Sequence, residues 1–165
     1  MPFTIFHLGP GSWIGLVAFR VFHYPTLLIA SVIIDLEPFF VLYGNLDQPL
    51  HGILHSFLGG AVIALITSIG IYYGRNELNK IMTFFRLAQD SSYKQIMFTS
   101  LFGVYLHILL DSPLYLDIKP FYPFELNPFY DLFSFQQVLL FCIVSFVITI
   151  GYYSFNFLMS KEKTN

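Results

Sequence analysis

An all-α helical bundle set in a membrane is the fold this sequence predicts, and three observations predict it. The chain of 165 residues is 56% hydrophobic and only 11% charged, against roughly 25% charged in a typical soluble domain. Such a chain cannot cover itself with polar surface. Long apolar runs recur, the clearest over 53–73, where only His55 interrupts an uncharged stretch. That is the length a helix needs to cross about 30 Å of hydrocarbon. The charged residues gather between the runs, chiefly in 74–94. One membrane domain over 1–165 is expected, with about five helices and a short amphipathic surface helix.

Composition also excludes. A net charge of -2 leaves no broad basic footprint, so nucleic acid is not an expected partner. Cys142 is the single cysteine and no CxxC occurs, so neither an internal disulfide nor a thiolate metal site is expected. Met1 to His7 carries no Lys or Arg, which argues against a cleavable signal peptide.

The elements follow in order. Gly9-Pro10-Gly11 is a cluster of breakers and is expected to end an N-terminal segment. Two short helices, 11–24 and 25–43, are expected on either side of the break at Pro25. Their apolar stretches, 12–24 and 26–34, each fall short of the ~20 residues of a full span. Asp35-Leu36-Glu37-Pro38 places two carboxylates after the second stretch, and 44–49 is a turn. The span 53–73 carries Gly59, Gly60, Ala61 and Ala64, a small-residue surface suited to close helix packing. The basic loop 74–94 holds Arg75, Lys80, Arg86 and Lys94 against Glu77 and Asp90. Its Ile81, Met82, Phe84, Phe85 and Leu87 predict the surface helix. A span over 96–111 follows. Pro113, Pro120, Pro123 and Pro128 make 112–132 an aromatic, non-helical loop, with Asp117, Glu125 and Asp131 opposed by Lys119 alone. The last span is 133–158, ahead of a polar tail with Lys161 and Lys163.

Two pairs of polar residues stand at the ends of these spans. His51 and His55 are four residues apart, as are His107 and Asp111; on a helix each pair shares one face. Neutral imidazole is the commonest metal ligand among side chains, and an ionisable residue within a membrane span marks a functional site by default. The positive-inside rule puts 75–94 and the C-terminal lysines in the cytoplasm. Both pairs then fall at the extracytoplasmic end, and His7 and Asp35 join them if the turn near Arg20–Pro25 faces the cytoplasm. The candidate metal ligands are therefore His7, Asp35, His51, His55, His107 and Asp111, with the His55 and His107 rings expected within about 5 Å of each other. His23, beside Arg20, is expected at the interface and outside the group. Ser56 lacks a GxSxG context and is expected to pack or to hydrogen-bond rather than to attack.

A mixed nitrogen and oxygen ligand set without thiolate favours Zn²⁺, with Mn²⁺ or Fe²⁺ as alternatives. A catalytic zinc typically keeps three protein ligands and one water. Six candidates therefore imply two ions, or carboxylates that orient the imidazoles. Glu37 or Asp35 would take the proton from the reacting water. In a regular helix these two point apart, so the pairing needs an irregularity near Pro38.

Met1-Pro2-Phe3-Thr4, His7-Leu8-Gly9-Pro10-Gly11, Asp35-Leu36-Glu37-Pro38, His51-Gly52-Ile53-Leu54-His55-Ser56 and His107-Ile108-Leu109-Leu110-Asp111-Ser112 stand in one order along the chain, followed by Phe121-Tyr122-Pro123-Phe124. In this the chain resembles the membrane-bound metal-dependent hydrolase family, small multi-span proteins. The resemblance runs from residue 1 to about 126. It implies a helical membrane protein with metal ligands at His7, Asp35, His51, His55, His107 and Asp111. The chain departs from the family at Glu37, where a second aspartate is more usual.

Two function classes follow. One is an integral-membrane metal-dependent hydrolase, using a metal-activated water on an amphiphilic ester or phosphoester that arrives from membrane lipid, with 112–132 as cover. The other is a non-enzymatic membrane protein or complex subunit, whose polar cluster holds a structural metal or a hydrogen-bonded network. An open ligand position beside a cavity favours the first; a closed, buried cluster favours the second.

Overall fold

The computed structural model describes residues 4–162, with side chains over 5–159. Met1, Pro2, Phe3 and Lys163, and the side chain of Lys161, lie outside the described residues. The described chain is all helical, without strands: α1 (Leu8–Val17), α2 (Tyr24–Ala30), α3 (Leu36–Tyr43), α4 (Phe57–Phe84), α5 (Tyr93–Asp111) and α6 (Phe135–Glu162). A 3-10 turn, Ile33–Asp35, links α2 to α3, so the six segments form five rods. Three are long and apolar enough to cross a membrane: Tyr24–Tyr43, Phe57–Phe84 and Phe135–Met159.

Four boundaries differ from expectation, each for a local reason. Gly9-Pro10-Gly11 does not end a segment but lies in the first turns of α1, where proline's missing N–H has no intrahelical partner to lose. The helix expected as a short one over 25–43 is long enough to span, because the 3-10 turn Ile33–Asp35 keeps the chain advancing along the same axis. No separate surface helix forms in 74–94; residues 74–84 continue α4. At 28 residues that helix is about 42 Å long, so its charged last turns extend past a ~30 Å hydrocarbon core. Finally α5, expected as a span, is not among the three apolar enough to be one. It is the central helix, packed on α4 and α2, and can therefore carry Thr99, Ser100, His107 and Asp111 on buried faces.

Small residues bring the helices together. A Cβ on Gly103 of α5 would stand 2.7 Å from Cβ of Ala30 in α2, so only glycine allows that approach. Across α4 and α5, the Ser100 hydroxyl donates to the Ala64 carbonyl at 2.8 Å, beside a core of Ala30, Ile34, Ala64, Val104 and Ile108. At one end of the bundle Gln89 clamps the 19–24 turn. Its side chain accepts from the Tyr24 N–H at 2.7 Å and donates to the carbonyls of Phe19 and Phe22 at 2.6 and 2.9 Å. His23, expected at the interface, is instead fully buried there, its Nδ1 2.6 Å from the Thr26 hydroxyl. The opposite end gathers the start of α1, the α2–α3 junction, the start of α4 and the end of α5.

Candidate metal centre

Four of the six candidate side chains sit where a helical segment starts or stops; His107 lies one turn inside α5 and His51 in the loop before the 3-10 turn Ile53–His55. His7 closes a 3-10 turn ahead of α1, Asp35 closes the turn ahead of α3, His55 ends the 3-10 turn Ile53–His55 ahead of α4, and Asp111 is the last residue of α5. Ser56 makes this possible for His55. Its hydroxyl accepts from the Gly59 N–H at 3.0 Å and donates to the Ile53 carbonyl at 2.6 Å, capping α4 and folding the 3-10 turn back on it. Ser56 is thus a structural hydroxyl.

The structure brings four candidates onto one centre. One ligand atom each from Asp35, His55, His107 and Asp111 lie within 4.8 Å of one another. This His/Asp group could hold a metal ion. His107 Nε2 lies 3.4 Å from Asp35 Oδ1 and 3.2 Å from Asp111 Oδ2. His55 Nε2 lies 3.8 Å from Asp35 Oδ1. His107 and Asp111 keep the one-turn spacing of a helix face. The His55 and His107 ring centroids are 5.7 Å apart, a little wider than the expected 5 Å.

The imidazoles are oriented from behind. His55 Nδ1–H donates to Glu37 Oε2 at 2.7 Å, and His107 Nδ1–H donates to the Ser31 carbonyl at 2.7 Å. Because a carboxylate and a carbonyl can only accept, both rings carry a proton on Nδ1 and turn Nε2 toward the centre. Those two Nε2 atoms are buried and have no hydrogen-bond partner. Oxygens of Asp35 and Asp111 stand 3.2 to 3.8 Å from them. Two buried imidazole nitrogens facing two carboxylates call for positive charge between them, supplied by a metal ion or by a proton on the ring. The donor set therefore fits a divalent ion.

Asp35 and Glu37 take opposite sides of one ring. Asp35 faces His55 Nε2 and Glu37 holds Nδ1, while Glu37 Oε1 also accepts from the Leu54 N–H at 3.1 Å. The i, i+2 offset that points two side chains apart on a helix here straddles an imidazole. The irregularity is the 3-10 turn before α3, not a kink at Pro38. Glu37 is placed to position His55.

His7 and His51 flank the group without belonging to its four ligand atoms. His7 Nε2 is 3.1 Å from Asp111 Oδ1, and its ring lies 4.3 Å from that of His107. His51 and His55 do not share a helical turn as their spacing suggested, since α4 begins only at Phe57. Their rings still meet, 4.8 Å apart. Asp117 holds His51 by its ring Nδ1 at 3.0 Å and by its backbone N–H at 3.0 Å. Burial and the neighbouring His55 keep the His51 imidazole below its usual pKa, in spite of Asp117.

Compared with models of protein families, with curated proteins and with solved structures, the chain matches none. Three contributors to the centre carry no signal in the sequence. Asp117 is one of several loop carboxylates there. Tyr115 packs at a tilt against His51, with ring centroids 4.3 Å apart. Burial, with Asp111, Asp35 and Asp117, pushes its phenol up to about 12, so it stays a donor at neutral pH. Ser31 acts through its backbone carbonyl, which no side-chain pattern announces.

Proposed function

We propose that this protein is an integral-membrane metal-dependent hydrolase that cleaves an amphiphilic ester or phosphoester. The observation that carries the reading is the pair of buried, unpartnered Nε2 atoms of His55 and His107 beside Asp35 and Asp111. The resemblance of the ordered His and Asp motifs to those of the membrane-bound metal-dependent hydrolases supports it. His55, His107 and Asp111 would hold the ion, which leaves a position for water beside Asp35; the mixed nitrogen and oxygen set favours Zn²⁺ over Mn²⁺ or Fe²⁺. When bound, such an ion supplies Lewis acidity and brings the pKa of a coordinated water from 15.7 toward about 7.

The chain's own groups do the rest. Glu37 and the Ser31 carbonyl fix the tautomer and aim of the two imidazoles. Asp35, the least buried of the four, is the carboxylate placed to take the proton from the attacking water. Tyr115, kept protonated, can donate toward charge that develops beside Asp111. Metal-loaded protein in detergent should hydrolyse lipid esters or phosphoesters, and chelation should abolish turnover until the ion is restored. Turnover that survives complete removal of metal would overturn the reading.

One observation favours the other class. His55 and His107 are fully buried and Asp111 is 5% exposed, as suits a closed structural centre. Metal that stabilises the fold while no ester or phosphoester is turned over would decide for it.

We further propose that the centre faces away from the cytoplasm. Arg20, Arg75, Lys80, Arg86 and Lys94 belong to the opposite end of the bundle, leaving Lys119 on the side of the centre. Reporters fused after residue 85 and after residue 165 should both read as cytoplasmic; an external signal from either would reverse the assignment.

A further inference from the structure

One groove remains outside the centre described above. α6 packs on α1 and on the 3-10 turn Thr4–His7, and between its start and the end of α5 lies a groove of about 420 Å³. Leu109, Leu110 and Pro113 form one wall and Val138 and Phe141 the other, with Gln137 the one polar side chain among the lining residues. A volume of this size falls within the range of small-molecule sites. Its outer lip is open, with Leu109 44% and Phe141 50% exposed, whereas Val138 at its inner end is 8% exposed. Val138 also lines a small chamber shared by His7, Asp111 and Tyr115. The groove therefore runs from the outward face of α6, a helix apolar enough to cross the membrane, to within one side chain of the centre.

We propose that this groove is a lateral portal that seats one hydrocarbon chain of a bilayer lipid, with Val138 as the gate between the chain and the His7–Asp111 edge. The inference rests on the hydrolase reading for the fate of that lipid, but not for its binding. The occupant is a lipid chain because the groove is continuous with the lipid-facing surface of α6. A water-soluble ligand would find there no charge and a single amide. A chain seated in the groove directs the polar end of its lipid toward Asp111, which follows Leu110 in sequence and ends the same helix.

The test uses the whole protein reconstituted in phosphatidylcholine vesicles doped with a lipid carrying a diazirine on its acyl chain. After illumination, mass spectrometry should find adducts at Leu110 and Val138, which face the groove, as well as at exposed lipid-facing positions such as Val147. Val138→Trp should cut the Leu110 adduct at least fivefold and leave that at Val147 unchanged. Val138→Ala, which opens the gate, should keep or raise it and guards against a folding failure of the larger substitution. Adducts confined to outward positions, or a Leu110 adduct indifferent to Val138→Trp, would overturn the proposal. Metal content is measured on the same samples. If no metal binds while Leu110 is labelled and Val138 controls the labelling, the metal reading falls and the portal stands.

Discussion

Replacing His55 with alanine is expected to reduce bound metal from about one ion per chain to background. The substitution removes one of two buried Nε2 donors and also leaves Glu37 and the Leu54 N–H without the ring they frame. Loss of an orienting partner alone typically costs 10–100-fold in metal affinity, so loss of the ligand itself should exceed that. Glu37→Gln supplies the comparison. A glutamine oxygen still accepts from His55 Nδ1–H but without the charge that raises ring basicity, so affinity should fall by about 10–100-fold and not vanish. The two proteins should thus rank in order by elemental analysis after dialysis against a metal buffer. Unchanged metal in His55→Ala would remove the centre from this site altogether. Wild-type affinity in Glu37→Gln would deny Glu37 its positioning role.

Much of this arrangement is legible in the sequence, because the features that carry it are local. The one-turn spacing of His107 and Asp111 survives into the structure since both lie on one uninterrupted helix. Asp35, His55, His107 and Asp111 converge at one end of the bundle, as the alternation of helices along the chain leads one to expect. The remainder depends on backbone geometry or on distance along the chain. His51 and His55 share the same spacing as the other pair, yet the helix starts after them, because the Ser56 cap is a stronger local signal than histidine periodicity. Glu37, expected to take a proton, instead sits behind a ring, since a 3-10 turn rotates it away from Asp35. Asp117 meets His51 across 66 residues, and nothing in the loop's composition distinguishes it from Glu125 or Asp131. α5 shows the converse: its polar residues lower its hydropathy, and its neighbours bury them on the inner faces, at Thr99, Ser100, His107 and Asp111.

Gly59→Ala should destabilise the protein and weaken metal binding together, although the same exchange in an open helix stabilises. Glycine costs a helix interior roughly 0.5–1 kcal/mol relative to alanine, so the default sign is favourable. At Gly74, in the same helix, an added Cβ would meet nothing within 4 Å, and Gly74→Ala should gain about that much. At Gly59 the added Cβ would fall on the Ile53 carbonyl and lie 2.9 Å from Leu54 Cα. These are backbone atoms held by the Ser56 hydroxyl, so no side chain can swing aside. The 3-10 turn must move, and His55 moves with it. Overpacking of this kind costs about 1–3 kcal/mol, which outweighs the helix gain. For a chain of this size each kcal/mol is worth roughly 2–4 °C in Tm. Thermal unfolding in detergent should therefore shift in opposite directions for the two alanines, and only Gly59→Ala should lose metal. If Gly59→Ala melts no lower than the wild type and keeps its metal, the turn that carries His55 is not wedged against α4, and the preorganisation of that ligand has another source.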